Sequence, residues 1–324
     1  MLRGQNSLSS RPPAAPAATT LSVMDSSPDI KPRIDMAVVA WAVLVFGLLF
    51  LGLLPLYVLH LDLAKLAANS SGAPPIALVG ILFTAYTPTI AALLIAWRWP
   101  GGGGVRKLLK PLTRWRVHVG WYLLALLGPI PLLLLGDLIY VLLGGDAPRH
   151  WLALPTGTAE GGMSALLFTI GAVIAGAVGE ELGWRGFGQA RLQAGIGALR
   201  AAVVIGLLWS TWHLWPVAVP GGLSLFNWTD FPQTYVRLTS TAILYAWLFN
   251  STRGSLLLVL VAHGAFNIDT SIVQTPDSGL HTIPIIVAVL HGVAALAVVL
   301  LTNPWTLTRR GRAVSSGETR APIC

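Results

Sequence analysis

Charge is scarce in this chain and cysteine almost absent. Only 10% of the 324 residues are Asp, Glu, Lys or Arg, whereas 54% are hydrophobic and the mean hydropathy is +0.70. That balance excludes an ordinary soluble globular domain. The single cysteine, Cys324, excludes an internal disulfide and any cysteine-rich metal site. As the last residue it also cannot open a prenylation box, which needs three residues after the cysteine. No internal repeat is present, and no polar stretch is large enough to bury a core of its own.

What the chain does contain is a series of apolar runs near the roughly 20 residues that cross a bilayer. Eight spans are predicted, at about 36–59, 75–97, 119–143, 162–180, 201–219, 236–250, 255–274 and 282–302. With no water in the bilayer core, backbone polar groups must pair internally, so spans of this length predict an all-α, polytopic transmembrane helical bundle. Residues 1–35, rich in Pro, Ala and Ser, read as a disordered cytoplasmic tail, 36–305 as the membrane domain and 306–324 as a basic cytoplasmic tail. The first run, Met36 to Leu59, is too long for a signal peptide and has no cleavage pattern after it.

The basic residues orient the bundle. With the N-terminus inside, all of the 21 Lys and Arg residues except Lys65, Arg149 and Arg237 fall on the inner side, as cytoplasmic loops require. Both termini are therefore expected in the cytoplasm, with the chain in the cell membrane. The net charge of +8 sits in loops beside the membrane rather than on one folded face, which suits anionic lipid and excludes nucleic acid as a partner. Leu108, Leu109, Leu112, Trp115 and Val117, interleaved with bases, predict a short interfacial helix in one such loop. Phe226, Trp228 and Phe231 predict an aromatic anchor at the outer surface.

Three polar clusters interrupt the apolar segments. The first is Glu180-Glu181-x-x-x-Arg185, in a glycine-rich stretch. Glu181 and Arg185, four apart, share a helix face and can pair, while Glu180 is rotated by about 100° and points elsewhere. An ionisable group at membrane depth costs roughly 2.5–3.5 kcal/mol, so each such group is a functional-site candidate. Glu180 is the candidate reactive carboxylate and Glu181 the supporting one. The second cluster is Trp209-x-x-x-His213 and the third His263-x-x-x-Asn267, each on one helical face. The expected depths of Glu180, His213 and His263 differ by roughly 10–15 Å, so at least one helix must be tilted, broken or re-entrant. The glycines around Glu180 are where that irregularity is expected. Asp137 and His291 also interrupt spans and are assigned to helix packing, and Pro129 and Pro131 predict a kink.

Glu-Glu-x-x-x-Arg, aromatic-x-x-x-His and His-x-x-x-Asn, in that order on separate apolar segments, resemble the CPBP family of intramembrane proteases, which includes type II CAAX prenyl endopeptidases and Abi-like relatives. The resemblance covers about 162–270, and the basic segment Leu108 to Val117 fits it too. Trp209 departs from it, since the pattern usually has Phe there. The resemblance implies a membrane endopeptidase acting on a peptide or protein substrate, of CAAX type or in peptide or bacteriocin processing. It implies that Glu180 and His213 activate water, that His263 and Asn267 stabilise the oxyanion, and that Glu181, Arg185 and Trp209 support the site.

Glu180, His213 and His263 also make up a two-His-one-carboxylate set able to hold a divalent metal such as zinc. Both a metal-bound and a metal-free site stay open on these residues. The metal-free one is favoured, because zinc bound by Glu180 would occupy the candidate general base. Other membrane protease chemistries lack their motifs: there is no His-Glu-x-x-His, Leu143 stands where a Gly-x-Gly-Asp motif needs its first glycine, and Ala165 ends a Gly-x-Ser-Gly match. Two other classes fit the same polar inventory. One is a proton-coupled transporter using Glu180, Glu181 and the histidines as a relay, the other a catalytically silent immunity or scaffold protein.

Overall fold

The structure is a computed structural model that describes residues 35–69, 73–99, 101–152, 171, 176–276 and 282–309. The tail expected at 1–34 and most of the span expected at 162–180 lie outside the described residues, as does the C-terminal tail from 310.

The described chain is an all-α membrane bundle. Its helices are α1 (Met36–Val58), α2 (Leu63–Ala68), α3 (Pro75–Arg98), α4 (Val105–Leu109), α5 (Val119–Leu127) and α6 (Pro129–Leu142). A helical turn at 176–181, α7, runs directly into a π-helical segment, Leu182–Gln189. There follow α8 (Ala190–Ile196), α9 (Ala198–His213), α10 (Asp230–Ser251), α11 (Leu256–Ile272) and α12 (Thr282–Leu301). Four stretches, Met36–Val58, Pro75–Arg98, Val119–Leu142 and Thr282–Leu301, are long and apolar enough to cross a membrane, and Leu256–Asp269 is a shorter apolar helix. The protein is thus an integral, multi-pass membrane protein. Leucines such as Leu82, Leu142 and Leu301 point outward while Glu181, Arg185 and Asp137 are buried, an arrangement fitted to lipid as solvent.

Some boundaries differ from those expected. α9 stops at His213 rather than continuing to 219, because Pro216 has no N–H to continue the ladder and the chain turns through 3₁₀ geometry at Trp215–Ala218. The third span breaks between α5 and α6 at Gly128, where Pro129 withdraws a helical donor. Asp35, assigned to the tail, instead caps α1 by accepting from the Ala37 N–H at 2.9 Å and pairs with Arg191 on α8. Residues 306–309, also assigned to a tail, belong to a hairpin in which Thr302–Asn303 pairs with Thr308–Arg309. Its carbonyls at Trp305 and Pro304 accept from the Ala198 and Leu199 N–H groups and so satisfy the first donors of α9.

α3 is the element that seats the polar segment. Pro88 leaves the Thr84 carbonyl without its helical donor, and the Thr87 hydroxyl supplies one at 2.9 Å. The Pro88 carbonyl accepts from Trp41 Nε1 on α1 at 3.0 Å, and the Thr89 hydroxyl reaches the Val178 carbonyl on α7 at 3.0 Å. Gly183 lies so close that a Cβ there would stand 2.3 Å from the Pro88 backbone. Backbone therefore meets backbone where α7 turns into the π segment, and Glu180 and Glu181 are held against α3 at that point.

Candidate active site

Glu181 closes the last α-helical turn before the winding widens. The π segment that follows is the irregularity expected among these glycines. Single π turns recur at functional sites because they re-aim side chains that an α-helix would place elsewhere. Glu181 and Arg185 nevertheless still meet: Arg185 Nη1 donates to Glu181 Oε1 at 2.8 Å, with both side chains buried.

The same carboxylate oxygen takes a second donor that the sequence did not disclose. His263 Nδ1, on α11, lies 2.8 Å from Glu181 Oε1. Because a carboxylate oxygen accepts, Nδ1 carries the proton and Nε2 is the ring atom left to face a substrate. Glu181 therefore joins the first and third motifs rather than serving Arg185 alone. Above this pair the Arg185 guanidinium stacks 4.2 Å from the Trp209 ring and 4.9 Å from the Tyr245 ring. Cation–π contacts of this kind gain weight when desolvated.

Glu180 is turned the other way, as its rotation from Glu181 predicts. Its Oε2 accepts from Trp209 Nε1 at 2.6 Å, and its other oxygen makes no hydrogen bond among the described residues. Trp209 also receives the other half of its own motif. Its backbone carbonyl accepts from His213 Nδ1 at 3.1 Å, which fixes that ring with Nε2 outward. Glu180 and His213 thus share no direct hydrogen bond among the described residues, and Trp209 stands between them. The Trp209 ring also lies edge-on to His213 and His263, at 5.3 and 5.7 Å between centroids.

Glu180, Glu181, Arg185, Trp209, His213 and His263 thus converge from α7 and the π segment that continues it, α9 and α11. Asn267 stands one turn beyond His263 on the same helix and is half-buried. The metal set does not assemble: among the described residues no three His, Cys, Asp or Glu side chains are placed to hold a metal ion. The reason is visible in the contacts, since Glu180 Oε2 is taken by an indole N–H and His213 is turned onto Trp209.

Two parts of the site escaped sequence reasoning. Tyr245, under Arg185 and 6.0 Å from the His263 ring, belongs to no motif. Its only signal was an aromatic hydroxyl within an apolar span. The partner of the Trp209 N–H, the Glu180 carboxylate, was likewise not legible in the chain. Outside the site, His291 is buried with Nδ1 donating to the Val287 carbonyl at 2.8 Å, consistent with helix packing. Asp269, near the end of α11, is buried at 4% exposure.

Comparison with known proteins places these motifs. Residues 162–268 match the family described as type II CAAX prenyl endopeptidase Rce1-like. A CAAX prenyl protease 2 of Methanococcus maripaludis is 27% identical over 110 residues, a match covering 30% of this chain and 40% of that protein. Over residues 162–268 the chain is thus similar to type II CAAX prenyl endopeptidases, the same stretch that carries the ordered motifs, and the match spans less than half the length of that relative.

Proposed function

We propose that this protein is an intramembrane endopeptidase that hydrolyses a peptide bond by a glutamate-activated water. The observation that supports it best is the orientation of the two adjacent carboxylates. Glu181 holds Arg185 and His263 on one oxygen and has its other oxygen sealed in the interior at 0% exposure, whereas Glu180, the more accessible of the two at 8%, is held by the Trp209 indole alone.

In this reading the free oxygen of Glu180 takes a proton from water as the water oxygen attacks the scissile carbonyl carbon. Trp209 holds the carboxylate in place meanwhile. The tetrahedral oxyanion is met by Nε2–H of His263, in a doubly protonated ring supported by Glu181, and by the Asn267 amide. As the C–N bond breaks, Glu180 returns the proton to the leaving amine, and an acid and an amine result. His213, fixed through Nδ1, presents Nε2 to the water or the leaving group. No step is routed through a metal.

The substrate class suggested by the relative's name is a prenylated CAAX chain, with unprenylated peptides as the competing class. The charge asymmetry supports a site towards the cytoplasmic half of the cell membrane. The test uses the full chain in liposomes with prenylated and unprenylated peptides, comparing Glu180→Ala, His213→Ala and His263→Ala with the parent. Each is expected to lose about 10²–10⁴ in rate. Undiminished cleavage by all three variants overturns the proposal, and pH-gradient-driven flux without cleavage favours a transporter.

A further inference from the structure

A second feature lies on the basic face of the bundle, apart from the carboxylates. Where α3 ends at Arg98 the chain turns through Gly101 to Gly104 into α4, and a cavity of about 310 Å³ opens beneath this loop. Lys107, Lys110, Arg114 and Arg191 line it, with no carboxylate among the lining residues. Its apolar part is Leu108, Phe187 and Phe249, and Gly186 of the π segment forms another wall.

The four cations are not equivalent. Arg191 is committed to Asp35 and to the Gly101 carbonyl, which it reaches at 2.7 Å, and so fixes the loop. Arg114 is fixed by the Arg253 carbonyl at 2.7 Å, a contact that leaves its charge uncompensated. Lys107 and Lys110 form no ion pair or side-chain hydrogen bond among the described residues, and both are exposed. Uncompensated cations around a partly apolar hollow call for an anion that carries an apolar body.

The depth of the cavity narrows the choice further. Trp97 and Trp99, just before the glycine loop, and Trp115, next to Arg114 in the chain, are exposed by 63%, 42% and 58%, as aromatic side chains are at the headgroup level. Arg98 and Arg116 stack on Trp97 and Trp115 at 4.0 and 5.0 Å from the ring centroids. Basic pockets between membrane helices on the cytoplasmic side accept the headgroups of anionic lipids.

We propose that this cavity binds the phosphate of an anionic phospholipid headgroup, with Lys107 and Lys110 as its movable donors and Arg114 as its fixed charge. The acyl chains then continue onto the exposed apolar surface of the bundle. Gly186 and Phe187 join the cavity wall to the segment that carries Arg185, so the bound lipid abuts the candidate active site. This inference does not depend on the peptidase reading.

Native mass spectrometry of the full chain in micelles tests it, with phosphatidylglycerol, phosphatidylcholine or inorganic phosphate titrated separately. One phosphatidylglycerol retained in preference to phosphatidylcholine is expected. Lys107→Gln with Lys110→Gln should lower that retention about tenfold or more, as loss of two charges lining the cavity implies. Arg98→Gln with Arg106→Gln, which removes equal charge outside the cavity, should lower it less than about twofold. Equal loss in both double variants overturns the site in favour of diffuse surface charge. Equal retention of the two lipids overturns it as well, and full displacement by inorganic phosphate assigns the pocket to free phosphate instead.

Discussion

The indole N–H of Trp209 donates a 2.6 Å hydrogen bond to Oε2 of Glu180, and the same residue's carbonyl accepts from His213. One side chain and one carbonyl therefore set the positions of two candidate reactive groups that do not touch each other. A hydrogen bond to a buried charged acceptor contributes about 1.5–3 kcal/mol. Trp209 thus does more than fill the volume of the usual Phe.

A double-mutant cycle measures that contact. Trp209→Phe keeps the ring and removes the donor, while Glu180→Gln keeps the shape and changes the acceptor. A coupling energy of about 1.5–3 kcal/mol in unfolding from mixed micelles is expected. Additive single changes would show that the two residues are adjacent without being bonded.

The two histidines should separate when activity and stability are measured together. His263 is buried and bonded to a carboxylate that already holds Arg185, so His263→Ala strips one partner from a buried charge network. Loss of activity with roughly 3–5 kcal/mol of destabilisation is expected. His213 is only half-buried and makes one bond to its own helix. His213→Ala should therefore cost about 10²–10⁴ in rate but only about 1 kcal/mol of stability. Equal stability losses would count against the Glu181–His263 contact.

Gly183→Ala probes the seat of the site on α3. Its Cβ would meet the Pro88 backbone at 2.3 Å, and backbone cannot rotate aside as a side chain can. A loss of about 1–3 kcal/mol or more is expected, with reduced cleavage because Glu180 and Glu181 move with the segment. Gly101→Ala, where no atom lies within 4 Å but φ is +79°, should strain the loop alone and leave cleavage nearly intact.

The sequence by itself determined the class of molecule. Long apolar runs with charge confined to their ends permit only helices, because a bilayer core offers no water to unpaired backbone groups. The spacing of four between Glu181 and Arg185 was enough to pair them, since neighbours on a helix face are a local matter. Span ends were less legible: the halt at His213 and the break at Gly128 follow from prolines acting against an apolar pattern that would otherwise continue. Contacts between helices could not be read from the chain, because hydrophobic periodicity shows which face is buried and not which residue it meets. That Glu181 takes His263 as well as Arg185, that Trp209 stands between Glu180 and His213, and that Tyr245 lies under the guanidinium depend on helices far apart in sequence crossing at chosen depths. Those crossings are set by close backbone approach at glycines such as Gly183 and by side-chain donors such as Thr87 and Thr89. Only the tertiary structure decided which of two neighbouring glutamates took His263 with Arg185 and which took the Trp209 indole.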